Sequence, residues 1–287
     1  MTETVRNGPR ALDHVVLPTA SLSVARERLS ALGFTVAPEG VHPFGTVNCC
    51  ICLADGTFLE PLSVGDVRAA DKAVADENVF VARDRSFRAA HGDEGFSAVV
   101  FASDDADADH REYVEARVSA GPRLDFSRPF VDARGRADVA SFRLAFAAEP
   151  GNASDAFFFA CERANAPKVD RSALQLHPNG VNRVVAIQAR AGDAASAAAF
   201  LSIVARSEAD IVSGGAKVPL ANADFTIRAE AGSDHIRLDA IVFAVGDLVK
   251  LRALLAERGI EYDLDGHRLV IPPAPGQGAA FIFEDQK

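Results

Sequence analysis

His14 stands inside the apolar run "LDHVVL" (residues 12–17), and Glu60 inside "FLEPL" (residues 58–62). An imidazole nitrogen and a carboxylate oxygen suit a divalent Zn, Fe, Mn, Co or Ni ion with open positions. They equally suit a hydrogen-bonded His–Glu pair that satisfies two buried polar groups and holds nothing. "HPFGTVN" (residues 42–48) adds His42 and Asn48. An unperturbed histidine titrates near neutral pH, so His42, with Glu60, is a candidate proton carrier, or a polar handle for a ligand. The alternative is a loop histidine that caps a backbone carbonyl. Cys49, Cys50 and Cys52 crowd the next segment, far from Cys161. That spacing is neither a zinc pair nor a disulfide framework, and no histidine is tied to the thiols by spacing. Reduced cysteines acting as small apolar side chains are expected.

Strand alternation predicts which of these groups meet. Side chains alternate across a pleat, so Leu12, His14 and Val16 are expected on one face, with Val15 and Leu17 on the other. Phe58, Glu60 and Leu62 share a face by the same rule. So do Asn48, Cys50 and Cys52, while Val47, Cys49, Ile51 and Leu53 face a covering helix. His14, Asn48, Cys50, Cys52, Phe58 and Glu60 then form a half-polar lining suited to a cavity. Phe157, Phe158 and Phe159 alternate in a later strand, which offers Phe159 as an apolar wall.

The elements carrying these residues recur. Four β-like runs, "LDHVVL", "FSAVVF", "VNRVVAI" and "LDAIVF", each lead into a helix and then into further strands. In the first helix Leu22, Ala25, Leu29 and Leu32 form an apolar stripe, with Thr19 or Ser21 to cap its start and Gly33 to end it. Asp193 and Asp247 open the third and fourth helices. The second has acidic residues at its start and Gly121 to end it. "FTVAP", "TVNCCICLA" and "TFLEPLSV" follow the first helix as strands, and "IEYDLD", "HRLVIPP" and "AAFIFED" follow the fourth, with "APGQG" as a turn. One curved sheet would leave a face bare, so the α+β chain is expected to pair four βαβββ units into two domains. Residues 10–162 make the first, with a helical connector at 66–92. Residues 163–180 are the crossover, containing the turn "HPNG", and 181–287 make a second, smaller domain.

"LDHVVL", "LGFTV", "HPFGTVN" and "DGTFLEPL" together resemble the glyoxalase-like branch of the vicinal oxygen chelate superfamily, closely over residues 11–64. The resemblance implies two cup-shaped domains. It also implies a divalent metal held inside by His or Glu of first strands and Glu of fourth strands, here His14 and Glu60. The other units match the metal pattern poorly. Ser97 or Ala98 falls opposite His14, and Phe158 or Phe159 opposite Glu60, with Glu162 the nearest carboxylate. Arg183 or Asn182, then Ala240 beside Asp239, take the histidine's place in the last two units, although Glu284 aligns with Glu60. The expected function is binding of a small oxygenated organic molecule in the first cup. A divalent-metal-dependent lyase, isomerase or dioxygenase is one form of it, and a metal-free binding or sequestering protein the alternative. A third alternative is that only the first domain keeps a site and the second has become a structural or dimerising partner; a homodimer is left open.

Composition bounds the partners. The 287 residues are 48% hydrophobic and 24% charged, with a net charge of −10. Clustered Lys and Arg are lacking, which argues against nucleic acid. No apolar run is long enough to span a membrane and no apolar leader opens the chain, so a cytoplasmic location is expected.

Overall fold

The computed structural model describes residues 8–131, 137–166 and 170–286. The first unit contains β1 (Leu12–Pro18), α1 (Leu22–Ala31), β2 (Gly40–Val41), β3 (Thr46–Asn48), β4 (Ile51–Cys52) and β5 (Phe58–Val64). The helices α2 (Val67–Ala75) and α3 (Val79–His91) then intervene. The second unit is β6 (Ala98–Ser103), α4 (Ala106–Glu115), β7 (Leu124–Val131), β8 (Ala137–Ala147) and β9 (Phe157–Asn165). After a 3-10 turn at Ser172–Gln175 comes the third: β10 (Val181–Ala191), α5 (Ala194–Ala205), β11 (Asp210–Val212), β12 (Gly215–Pro219) and β13 (Asp224–Ala229). The fourth is β14 (Arg237–Val245), α6 (Leu248–Glu257), β15 (Asp263–Asp265), β16 (Arg268–Ile271) and β17 (Ala280–Asp285).

Two sheets result. One runs β2-β3-β5-β1-β6-β9-β8-β7 with β4 also on β5, and the other β11-β12-β13-β10-β14-β17-β16-β15. Within every unit the first strand pairs parallel with the last, as β1 with β5 and β6 with β9. The first strands of partner units pair antiparallel, β1 with β6 and β10 with β14. Units therefore pair first with second and third with fourth, giving the α+β architecture of two cup-shaped domains expected from the repeat. Leu29 of α1, Tyr113 of α4, Leu201 of α5 and Leu251 of α6 join the inner faces of both sheets in one buried cluster. The cup faces carry separate clusters.

The expected helical connector consists of α2 and α3, broken where Asn78 caps α3 by accepting from the Val81 N–H. Ala70, Ala73, Val79 and Phe80 from these helices pack with Val16, Leu62 and Phe159 on the first cup face. The insert thus closes one side of that cup.

Several local expectations differ. The first helix is preceded by Ser21 as N-cap, but no side chain caps it. The α4 helix ends at Glu115, well before Gly121, because Arg117 takes the left-handed position with φ 59°. "FTVAP" forms no strand: Phe34 packs instead near Phe243 and Phe281 of the second sheet. The long third strand of the first unit is interrupted between β3 and β4. Cys49 donates to Pro61 O at 3.2 Å, but Pro61 has no N–H to return, so the ladder breaks there while its register continues. Among the described residues no helix is long and apolar enough to cross a membrane.

Candidate ligand site in the first cup

Strand β1 is irregular at the site. Leu12 pairs with Phe101 and His14 with Val100, so Asp13 is an inserted bulge residue. A bulge re-aims side chains where it occurs. Leu12 therefore joins Val15 and Leu17 in the helix-side core, correcting the alternation that grouped it with His14. Asp13 and His14 both face the cup.

The cup encloses a cavity of about 260 Å³. His14, His42 and Glu60 line it, as do Asn48, Cys50, Cys52, Phe58 and Phe159. All the residues chosen from the sequence are thus brought together. The carboxylate of Glu60 lies between the two imidazoles. Nε2 of His14 is 3.5 Å from its Oε2, and Nε2 of His42 is 3.6 Å from its Oε1. Asn48 Nδ2 donates to Oε1 at 2.7 Å. The Nδ1 of His14 lies 2.6 Å from Asp13 Oδ1, and Asp13 Oδ2 accepts from Arg163 Nη2 at 2.8 Å. His42 Nδ1 is 2.9 Å from Thr46 Oγ1. Phe58 stacks on His14 at 4.2 Å, and Phe159 meets it edge-on at 5.7 Å.

Burial opposes charge on every group here, and the neighbours decide the outcome. For Glu60 burial is outweighed by the His14 hydrogen bond and the two histidines, so its carboxyl stays below the usual range. Asp13 is held low in the same way, by His14 and Arg163. His14 is raised, because hydrogen bonds to Asp13 and Glu60 overcome its desolvation. His42 lacks such support: burial drives it to about 4 despite the charge of Glu60, with Arg128 and His14 adding to the fall. Burial pushes the Cys50 and Cys161 thiols well up and raises Cys52. All four cysteines are free.

Sheet register tests the donor set for a metal. His14 lies opposite Val100, and Val16 opposite Ala98. A two-fold through the Val15–Val99 pair, which matches "DHVVL" to "SAVVF" in order, carries His14 onto Ala98 and Val16 onto Val100. Glu60 sits beside Val16 on β5, and Phe159 beside Val100 on β9. The same operation carries Glu60 onto Phe159. Two of the four related positions thus hold a methyl and a phenyl group. Among the described residues no group of three or more His, Cys, Asp or Glu is arranged to hold a metal ion. The residues present do not make a complete metal site. Phe158 points to the helix side, and Glu162 accepts from the Ala106 N–H at the start of α4. In the other domain Glu284 is paired with Arg268 at 2.6 Å.

A family model described as "Glyoxalase-like domain" matches residues 12–204. The chain belongs to the glyoxalase-like domain family. No curated protein matches this member by sequence. Among solved structures, a hypothetical protein from Staphylococcus aureus superposes with TM-score 0.68 at 13% identity, over 96% of this chain and 99% of its own. A variant of 4-hydroxymandelate synthase from Streptomyces coelicolor gives 0.61 at 15% identity, over 97% and 93%. An Mn(II)-bound glyoxalase from Novosphingobium aromaticivorans gives 0.55 at 10% identity, over 96% and 82%. At these identities the likeness is one of fold.

Sequence reasoning missed part of the lining. Asp13 enters the cup only through the bulge. Phe126 and Phe142 are cross-strand partners on β7 and β8, stacked at 5.0 Å, and only pairing reveals them. Phe80 comes from the insert. Arg128, Arg163 and Arg171 complete the lining and look like ordinary surface charges in the sequence. "HPNG" is a turn as expected, closed by the Gly180 N–H on His177 O. His177 also clamps the crossover to the first unit: Thr35 N donates to its Nδ1, and its Nε2 lies 3.0 Å from Cys52 O.

Proposed function

We propose that this chain is a metal-free small-molecule binding protein whose first cup holds an oxygenated organic ligand. The observation that carries this reading is the replacement of half the symmetric donor set by Ala98 and Phe159. The cup offers burial for an apolar body and a few fixed polar groups for orientation, as small-molecule sites do. Glu60, held ionised, accepts a hydrogen bond from a ligand hydroxyl. Its lowered pKa and the value of about 4 for His42 make both weak bases near neutral pH, which favours holding a ligand over moving its protons.

A second reading, a divalent-metal-dependent lyase, isomerase or dioxygenase, draws support from Asp13. Carboxylates commonly orient a metal-binding histidine through its other ring nitrogen, as Asp13 does for His14. Elemental mass spectrometry and ligand-induced thermal shifts, with and without chelator, separate the two. The proposal expects no near-stoichiometric metal, even after addition of Zn, Mn, Fe or Ni, and thermal shifts that survive chelator and vanish in Phe58→Ala. Metal that is lost in a His14→Ala, Glu60→Gln double variant would overturn it in favour of the enzyme.

A further inference from the structure

We infer that the first cup selects a monoanionic organic acid, a carboxylate carried on a single aromatic ring or an aliphatic body of similar size. The inference rests on the proposed binding function and adds the ligand's charge and shape.

The charge comes from the balance of ionised side chains around the cavity. Three arginines, Arg128, Arg163 and Arg171, face two carboxylates, Asp13 and Glu60. Both carboxylates are occupied: Asp13 by Arg163 and His14, Glu60 by Asn48 and the histidines. Arg128 and Arg171 have no acidic partner among the described residues. A locally cationic mouth in a chain of net charge −10 is not what composition alone would produce. Arg128 is also held in place. Its guanidinium lies over the Phe142 ring, 5.8 Å from the centroid. Gly40 leaves room beside it, since a Cβ there would fall 2.6 Å from Arg128 Nη1 and 2.4 Å from Asn48 Oδ1. A planar guanidinium fixed on an aromatic ring is well suited to a carboxylate.

The shape comes from the walls. Phe44, Phe58, Phe80, Phe126, Phe142 and Phe159 line the cavity. An apolar cavity of roughly 150 Å³ takes one benzene. A volume of about 260 Å³ therefore fits one ring with a short acidic arm.

The test compares 3-phenylpropionate with its uncharged isostere 3-phenylpropionamide by ligand-observed NMR and calorimetry on the full chain. The acid is expected to bind about tenfold or more tightly than the amide. Arg128→Gln with Arg171→Gln should abolish that preference by weakening the acid about tenfold or more relative to the amide, and circular dichroism checks that the variants fold. Equal affinity for acid and amide, or a preference that survives both substitutions, would overturn this inference and leave the binding function standing. Binding of neither probe would overturn both.

Discussion

Glu60 sits between two histidines that behave oppositely, and the difference lies in their other ring nitrogens. His14 has the carboxylate of Asp13 on its Nδ1, whereas His42 has only the Thr46 hydroxyl. The first is therefore stabilised as an imidazolium and the second is kept neutral. This has a measurable consequence for stability. The unfolded chain protonates His42 near 6.5, while the folded chain refuses the proton until about pH 4. Stability is thus lost as pH falls through that window, by roughly 3 kcal/mol. His14 acts in the reverse sense: its contribution is complete below 6.5 and is lost as pH rises through its raised folded value. Urea unfolding of the parent and His42→Gln at pH 7 and pH 4.5 isolates the first effect. The variant should show the shallower pH dependence. Equal slopes would refute the burial of a neutral His42. At this scale the residue types were legible in the sequence. The bulge that adds Asp13 was not, because it depends on how β1 meets β6.

At the scale of elements, the α2–α3 insert separates the first cup from the second. Phe80 seals one side of the cavity through contacts with Phe44, Phe157 and Phe159. Among the described residues the second cup has no such cover, and its buried cluster consists of Ala240, Val242 and Ile282. The loop bearing His42 is anchored to this insert at Gly45. Its φ is +89°, and a Cβ there would lie 2.5 Å from Asp66 O and 2.6 Å from Ala70 N. Gly45→Ala should cost about 1–3 kcal/mol, from left-handed strain and the forced separation of loop and helix. Urea midpoints measure the cost, and ligand-induced thermal shifts should shrink with it as His42 is displaced. A neutral effect would show that the loop is free to move off α2. Residues 66–92 were recognisable as helical from composition. Their role as a wall was not, since it arises from where the insert lands.

For the whole molecule, one buried charge network ties the two domains. Arg10, ahead of β1, donates to both carboxylate oxygens of Asp109 on α4, at 2.7 and 3.1 Å. Arg206, at the end of α5 in the second domain, reaches the same carboxylate at 2.8 Å. Asp109 is fully buried, and removing it leaves Arg10 and Arg206 to share the partly exposed Glu112, which pairs with Arg206 and lies 3.8 Å from Arg10. Asp109→Ala is expected to lower stability by about 3–5 kcal/mol. Calorimetry should also show whether the domains then melt separately. A single unshifted transition would mean that apolar packing alone joins them.

The chain by itself determined the repeat and the faces bearing His14, Asn48, Cys50, Cys52 and Glu60, because period-two and helical patterns are local properties; which units pair was decided by the strand contacts of the folded chain. Even the loss of half the donor set was readable, as Ser97 or Ala98 and Phe158 or Phe159. Only the tertiary structure chose between those alternatives, since sheet register decides which of two adjacent side chains enters the cup. It also brought Arg128 of β7 to the same cavity as Arg163 and Arg171, which lie more than 30 residues further along the chain. Long-range charge placement of that kind leaves no periodic trace in a sequence.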